Sequence, residues 1–206
     1  MKVKDLVLYQ ISTDRHYKVG DKLEFGKKSN FQGERVIDGA KLEKRRTYDD
    51  GYSFVDSKKI FANKKLVLNL SKQLEEYDFI LRELAFEEVR KKEFSDYPSR
   101  LKCMFLSDNR EDCLINLKSF HKKGHGTFFQ VVAVKLNGNI FYAREIPVLR
   151  KGCSYGEYLN EGRKYWSQNQ DLNNKPYEIL FEGNAEIVDV IEEFEYERKT
   201  DVNTKS

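Results

Sequence analysis

Apolar positions recur with a helical period from Asn69 to about Phe94, the longest regular stretch of the chain. Four leucines and a tyrosine follow one another at steps of four and three residues, which places them on one helix face. We expect this face to point inward; its members are Leu70, Leu74, Tyr77, Leu81 and Leu84. The acidic pair Glu75–Glu76 is expected in the first turn, where the helix dipole favours negative charge. Pro98 is predicted to end the helix region.

Shorter runs indicate strands. Residues 5–12 form one apolar run, and a glycine-punctuated stretch after it predicts a surface loop with one short strand. Two longer stretches, 128–146 and 177–196, each contain two strand-like runs separated by "NGN" or "GN", which predicts two hairpins. A further helix is expected to begin near Ser154, with Tyr158 and either Tyr165 or Trp166 facing inward.

The predicted order is strand and loop, long helix, strand, helix, hairpin, helix, hairpin. Hairpin-joined strands with separate helices predict an α+β fold with a mainly antiparallel split sheet and flanking helices, and they argue against a doubly wound parallel sheet. No repeat or linker divides the chain. We therefore expect a single domain over residues 1–198 and a flexible, polar C-terminal tail over 199–206.

The segment "CMFLSDNREDCLINLKSF", residues 103–120, reads as strand, turn and helix. Its strand is the apolar "LKCMFL", and Ser107, Asp108 or Asn109 can cap a helix that begins near Arg110. Such a unit often only packs a helix against a sheet. Whether this segment also binds a ligand depends on what the other segments of the chain supply.

Composition and charge exclude several classes of protein. The 206 residues carry 39% hydrophobic and 34% charged side chains with a net charge of +3, so the balance does not by itself call for nucleic acid. No apolar stretch approaches the length of a membrane span, and no signal peptide is recognisable. The three cysteines form no CxxC motif, which favours free thiols in a reducing cytoplasm. The three histidines, His16, His121 and His125, are too few and scattered to indicate a metal site.

Three segments together resemble the ADP-ribosyltransferase superfamily. The early strand "LYQIS" stands where that superfamily has Tyr-His-Gly or Tyr-Arg-Gly, "KCMFLSDNREDCL" is similar to its central strand-turn-helix, and "PYEILFEG" is similar to its late strand with a catalytic glutamate. The resemblance covers about half of the chain. The chain also resembles an uncharacterised bacterial family, a domain of unknown function, that is associated with this superfamily.

The resemblance implies an NAD-dependent enzyme that transfers ADP-ribose to a protein or nucleic-acid acceptor, with NAD as substrate, no metal and no membrane partner. It implies Glu178 as the catalytic carboxylate, which would stabilise positive charge developing on the ribose. Phe105 would stack on the nicotinamide ring. The other implied nucleotide-binding residues are Gln10, Ser12, Ser99 and Arg100.

The sequence departs from the superfamily in the first segment. Gln10 replaces a histidine or arginine, and Ile11 replaces the glycine that follows. Glutamine can form hydrogen bonds but carries no charge. This departure keeps two alternatives open: a non-catalytic nucleotide- or protein-binding module that has kept the fold, and an interaction domain that uses exposed aromatic residues such as Tyr165 and Trp166.

Overall fold

The computed structural model describes residues 1–45, 64–115, 128–144, 153–167 and 177–195. These residues fall into two compact units. Of the described residues, a sheet unit draws on 1–25, 104–115, 128–141 and 178–195, and a helical unit draws on 26–45, 64–103, 142–144, 153–167 and 177. The expected tail, 199–206, lies outside the described residues, and the single domain expected over 1–198 stays a prediction.

The sheet unit is built on one five-stranded sheet. Its strands are β1 (Lys2–Thr13), β2 (Lys22–Phe25), β3 (Met104–Leu106), β4 (Phe128–Arg144) and β5 (Tyr177–Glu195). The order is β1-β4-β5-β2, and β3 also pairs with β5. The pairs β1–β4, β2–β5 and β3–β5 are all antiparallel. The expected α+β class with a mainly antiparallel sheet is therefore confirmed.

Hydrogen bonding continues from β3 to β1 through a single bridge. Tyr9 and Ser107 are paired in antiparallel fashion just beyond the end of β3. Since β1 also pairs with β4, β4 with β5, and β5 with β3, the bonding runs round a closed ring of four strands. A closed arrangement leaves the β1 edge near Tyr9 hydrogen-bonded.

Both predicted hairpins are wrong, because β4 and β5 are each one continuous strand through the predicted turn. A two-residue hairpin turn requires positive φ at its centre, and no residue of 137–139 has it. The glycines serve a close approach of the two strands instead. A Cβ on Gly138 would lie 2.2 Å from the Glu182 carbonyl oxygen, and one on Gly183 would lie 2.5 Å from that of Asn137.

The helical unit contains α1 (Phe31–Arg45), α2 (Lys64–Glu93) and α3 (Tyr155–Ser167). The long helix and its end before Pro98 are confirmed, but it begins earlier than expected, so Glu75 and Glu76 lie outside its first turn. The helix expected to begin near Ser154 is confirmed as α3. Ser154 caps it: its hydroxyl accepts from the Glu157 amide at 3.3 Å, and the Glu157 carboxylate accepts from the Ser154 amide at 2.7 Å.

The inward face predicted for α2 is wrong. Leu74, Leu81 and Leu84 are 67%, 41% and 40% exposed. Burial is described for residues 74–93 of this helix, so the predicted Leu70 lies outside that range; the buried side chains within it are Ile80, Glu83, Ala85, Phe86, Glu87 and Val89. The helix therefore buries a face that includes two glutamates. Apolar periodicity misidentified this face because two of the side chains that the helix buries are glutamates, which are rarely buried unless paired.

Helix α1 occupies part of the stretch predicted as a surface loop, whereas the short strand predicted there is confirmed as β2. Gly33 was interpreted as a loop signal. In the structure it is a buried helical residue at which a Cβ would lie 2.3 Å from the Leu101 carbonyl oxygen. This glycine permits close packing and does not mark a turn. None of the described helices is long and apolar enough to cross a membrane.

Candidate functional site

The β1–β4 register assigns the side chains of β1 to two faces. Residues directly opposite each other in an antiparallel pair project to the same side, and successive residues alternate. Gln10 is opposite Val132 and Ser12 is opposite Gln130, and both partners are fully buried. These residues define what we call the core face. Tyr9 projects to the other side, which we call the outer face.

The same alternation assigns β3 and β5. Because Tyr9 pairs with Ser107, Ser107 lies on the outer face, and so does Phe105 two residues earlier. Phe105 is opposite Leu180, which places Leu180 and Glu178 on the outer face as well. The alternate residues belong to the core face and are at most 8% exposed: Met104, Leu106, Ile179 and Phe181.

Phe105 and Glu178 are therefore brought together by the fold. They project from the same face of two paired strands, in diagonal positions whose Cα atoms are roughly 7–8 Å apart in such ladders. Both side chains are partly exposed. A partly exposed aromatic ring can stack on a planar ligand, and a carboxylate beside it can hydrogen-bond the ligand's polar edge.

Gln10 and Ser12 project to the opposite, core face of the same sheet. The Oε1 atom of Gln10 is buried and has no hydrogen-bond partner. The Ser12 side chain is 4% exposed and its hydroxyl donates to the Arg15 carbonyl at 3.4 Å. The structure thus separates these two predicted nucleotide-binding residues from Phe105 and Glu178.

Ser99 and Arg100 belong to the helical unit, where both are 3% exposed. The Arg100 guanidinium donates to Glu83 through Nε at 2.9 Å and to the Tyr165 hydroxyl through Nη1 at 2.8 Å. The Ser99 hydroxyl donates to Glu87 at 2.9 Å. The polar groups that were expected to bind a phosphate are thus hydrogen-bonded within the protein. The same contacts connect the segment after α2 to α2 and α3.

The buried glutamates of α2 are the feature that sequence reasoning missed. Burial opposes ionisation of Glu83, but the adjacent guanidinium groups of Arg100 and Arg82 hold its pKa below the usual value. Glu87 lies one turn later and forms an ion pair with Arg90 at 2.8 Å. The available signal was the i, i+4 spacing of Glu83 and Glu87 on a helix followed by the arginine of "YPSR".

The remaining candidates have structural surroundings. None of the three cysteines forms a disulfide, as predicted. Burial raises the pKa of the Cys113 thiol to about 11, against a lowering contribution from a hydrogen bond with Ser107. Tyr165 and Trp166 are 4% and 1% exposed, so the proposed use of these aromatics as an exposed interaction surface is wrong. Within the described residues no cluster of His, Cys, Asp and Glu could hold a metal ion, and His121 and His125 lie outside those residues.

A surface pocket of about 310 Å³ lies elsewhere on the sheet unit, between β2 and β5. Its lining includes Lys22, Glu24, Asn137, Asn184 and Glu186. None of the predicted site residues borders it. Glu186 forms an ion pair with Lys135 at 2.8 Å, so its charge is balanced within the protein.

Fold and site together define an α+β protein whose antiparallel sheet carries a partly exposed aromatic residue and a partly exposed carboxylate on one face. Residues 8–193 match the family model described as protein of unknown function (DUF2441). The match spans most of the chain, and the chain belongs to this family. A search of the curated proteins finds no match.

Proposed function

We propose that the chain is an ADP-ribosyltransferase-like protein that binds NAD on the outer face of its sheet and transfers ADP-ribose to a protein or nucleic-acid acceptor. The observation that supports the proposal is the placement of Phe105 and Glu178 on one face of two paired strands. The resemblance of the segments around both residues assigns them complementary roles. The ring stacks on nicotinamide, and the carboxylate lies beside the ribose.

In this proposal the bond between nicotinamide and the ribose C1′ breaks, and nicotinamide leaves with the bonding electron pair. The Glu178 carboxylate stabilises the positive charge that develops on the ribose, since that charge is largest in the transition state. An acceptor oxygen or nitrogen forms the new bond to C1′, and its proton passes to Glu178 or to water. The proposal requires ribose and acceptor to reach the Glu178 carboxylate, whose residue is partly exposed.

A second candidate function is a non-catalytic nucleotide- or protein-binding module. Two observations favour it over an active transferase. Gln10 is on the core face, and the Arg100 guanidinium is held by Glu83 and Tyr165. Gln10 and Arg100 therefore do not present their polar groups for binding the NAD phosphates, which is the role that the resemblance assigns to them.

The test is release of nicotinamide from NAD, together with transfer of labelled ADP-ribose to a mixture of protein, RNA and DNA. We expect Glu178→Gln to lose at least 100-fold in rate, in line with loss of one group that stabilises transition-state charge. Asp189→Asn is the matched control, because it neutralises an exposed carboxylate on the same strand. Its rate should equal that of the wild type.

Wild-type protein that releases no nicotinamide and transfers no label would refute the transferase. A rise in melting temperature with NAD or ADP-ribose in that case would support the binding module, because a ligand that binds only the folded state stabilises it. Equal rates for Glu178→Gln and Asp189→Asn would remove Glu178 from the mechanism.

A further inference from the structure

A row of apolar residues on α2 alternates steps of three and four residues, which is the spacing of the a and d positions in a seven-residue repeat. We call this row the apolar stripe; its members are Val67, Leu70, Leu74, Tyr77, Leu81 and Leu84. Leu74, Leu81 and Leu84 are 67%, 41% and 40% exposed, and Tyr77 is partly exposed. The part of the stripe whose side chains are described therefore has the spacing of a helix–helix interface and is not buried.

The helical unit packs against other sides of α2. Arg35 of α1 lies over the Phe79 ring, 4.1 Å from its centre. The Trp166 indole of α3 donates to the Phe86 carbonyl at 2.9 Å, and Phe86 is 1% exposed. At about 100° per residue, Phe79 and Phe86 lie roughly 150–170° round the helix from the centre of the stripe. Helix α2 therefore has two apolar sides, and the described part of the stripe is on the exposed one.

The spacing of the stripe is the same when it is read in either direction along α2. A second copy of α2 turned end for end therefore presents an apolar residue at every level of the first. At the centre, Leu74 is level with Tyr77 of the partner subunit, and each level combines an a position with a d position. A surface that is its own complement is what a two-fold symmetric dimer requires.

Charges next to the stripe do not oppose this pairing. The e and g positions that flank it, from Val67 to Glu87, contain two charged residues, Asp78 and Glu87. Asp78 accepts a hydrogen bond from the Tyr158 hydroxyl, and Glu87 forms its ion pair with Arg90. Both carboxylates are therefore engaged within their own subunit, and neither adds an unpaired like charge to the interface.

We propose that the apolar stripe is the interface of a homodimer in which two copies of α2 pack antiparallel. Contiguous exposed apolar surfaces on soluble proteins mark interaction sites. The stripe spans roughly 27 Å at about 1.5 Å per residue. A single helix pair is smaller than the standard interface of about 1,600 Å², so we expect a reversible dimer with a dissociation constant on the order of 10 μM. Dimer formation is independent of the proposed transferase activity.

Sedimentation velocity over a range of about 1–200 μM tests the interface, since this range includes the expected dissociation constant. We expect the wild type to change from monomer to dimer across the range. Leu74→Glu and Leu81→Glu should each raise the dissociation constant at least about 100-fold, because each copy would bury an unpaired carboxylate against apolar side chains. Ile115→Glu is the matched control and should dimerise like the wild type. It places the same carboxylate at a residue of the sheet unit that is 65% exposed.

Cross-linking tests the orientation in a Cys153→Ser background, which removes the partly exposed native thiol. In an antiparallel dimer the two copies of residue 84 lie about 25 Å apart along the helix axis. A short thiol-reactive cross-linker should therefore not link Leu84→Cys to itself. A mixture of Leu74→Cys and Tyr77→Cys should give a linked heterodimer.

Urea unfolding checks that each variant is folded, which we expect because the substituted side chains are exposed or partly exposed. A dimer that both leucine variants weaken and Ile115→Glu retains supports the interface. Wild-type protein that stays monomeric at the highest concentration overturns it, and so does equal dimerisation of all three glutamate variants. Efficient linking of Leu84→Cys to itself overturns the antiparallel arrangement.

Discussion

Tyr9 and Ser107 exchange both of their backbone hydrogen bonds, with N–O distances of 2.9 and 2.8 Å. This pair decides which side of the sheet each neighbouring residue faces. Because side chains alternate along a strand, Tyr9 shares a face with Phe105, and Gln10 lies on the other. The resemblance in the first segment was placed on Gln10, one position away from the residue that faces the candidate site.

The unpartnered amide oxygen of Gln10 predicts the effect of its replacement. Gln10→Met removes a buried polar atom that has no hydrogen bond and keeps a side chain of similar length. We expect the free energy of unfolding in urea to stay the same or to rise by up to about 2 kcal/mol.

Gln130→Met is the matched control on the same face. Its amide accepts from the Tyr17 amide at 2.7 Å and donates to the Tyr17 carbonyl at 3.0 Å. We expect this variant to lose about 1–3 kcal/mol, because the Tyr17 groups are left without partners. Equal losses in the two variants would show that Gln10 also has a structural partner.

Arg100 is predicted to hold the helical unit together. Arg100→Met leaves the carboxylate of Glu83 buried without its closest cation, and we expect a loss of about 3–5 kcal/mol in urea unfolding. Arg163→Met is the control, because Arg163 pairs with Glu93 at 2.8 Å while 50% exposed. Exposed pairs contribute about 1 kcal/mol or less. A small loss in both variants would contradict a structural role for Arg100.

The lowered pKa of Glu83 predicts acid sensitivity. A carboxylate whose pKa is lower in the folded state stabilises that state while it is ionised. The stabilisation is present above the ordinary value of 4.5 and is lost as the pH falls through the lower folded pKa. We expect the urea concentration at the unfolding midpoint, measured from pH 7 to pH 3, to decrease once the pH is below about 4.5. In Glu83→Gln the part of this decline that Glu83 contributes should be absent, and an unchanged pH profile would contradict it.

The thiols predict an order of chemical reactivity. Cys103 and Cys113 are 1% and 2% exposed, and the Cys113 pKa of about 11 keeps it protonated near neutral pH. Cys153 is partly exposed. Since the thiolate reacts, a disulfide reagent at pH 8 should modify one thiol rapidly and all three only after denaturation. The Cys153→Ser variant should lose the rapid phase; its persistence would show that a buried cysteine is accessible.

Sequence reasoning predicted the elements that depend on local signals. The Asn109 cap is an example: its side chain accepts from the Glu111 amide at 2.8 Å, as a capping residue does. The start of α3 near Ser154 and the end of α2 before Pro98 were also predicted from the local sequence. The resemblance of the central and late segments singled out Phe105 and Glu178. In the structure these two residues lie on the paired strands β3 and β5.

What could not be predicted depends on long-range contacts. Gly138 and Gly183 lie in sequences typical of turns, but in the structure they let two long strands approach closely. The burial of Glu83 in α2 depends on Arg100, a partner seventeen residues away that no local pattern reveals. The side on which Gln10 projects follows from the pairing of β1 with β4 and Ser107, which no local pattern contains.

The most direct test of the proposed site is a crystal structure of the protein with NAD or ADP-ribose. The account predicts that the ligand lies on the outer face, in contact with Phe105, with its ribose hydrogen-bonded to Glu178. A ligand held by Gln10, or bound in the pocket beside Lys22 and Glu186 with Phe105 untouched, would contradict it.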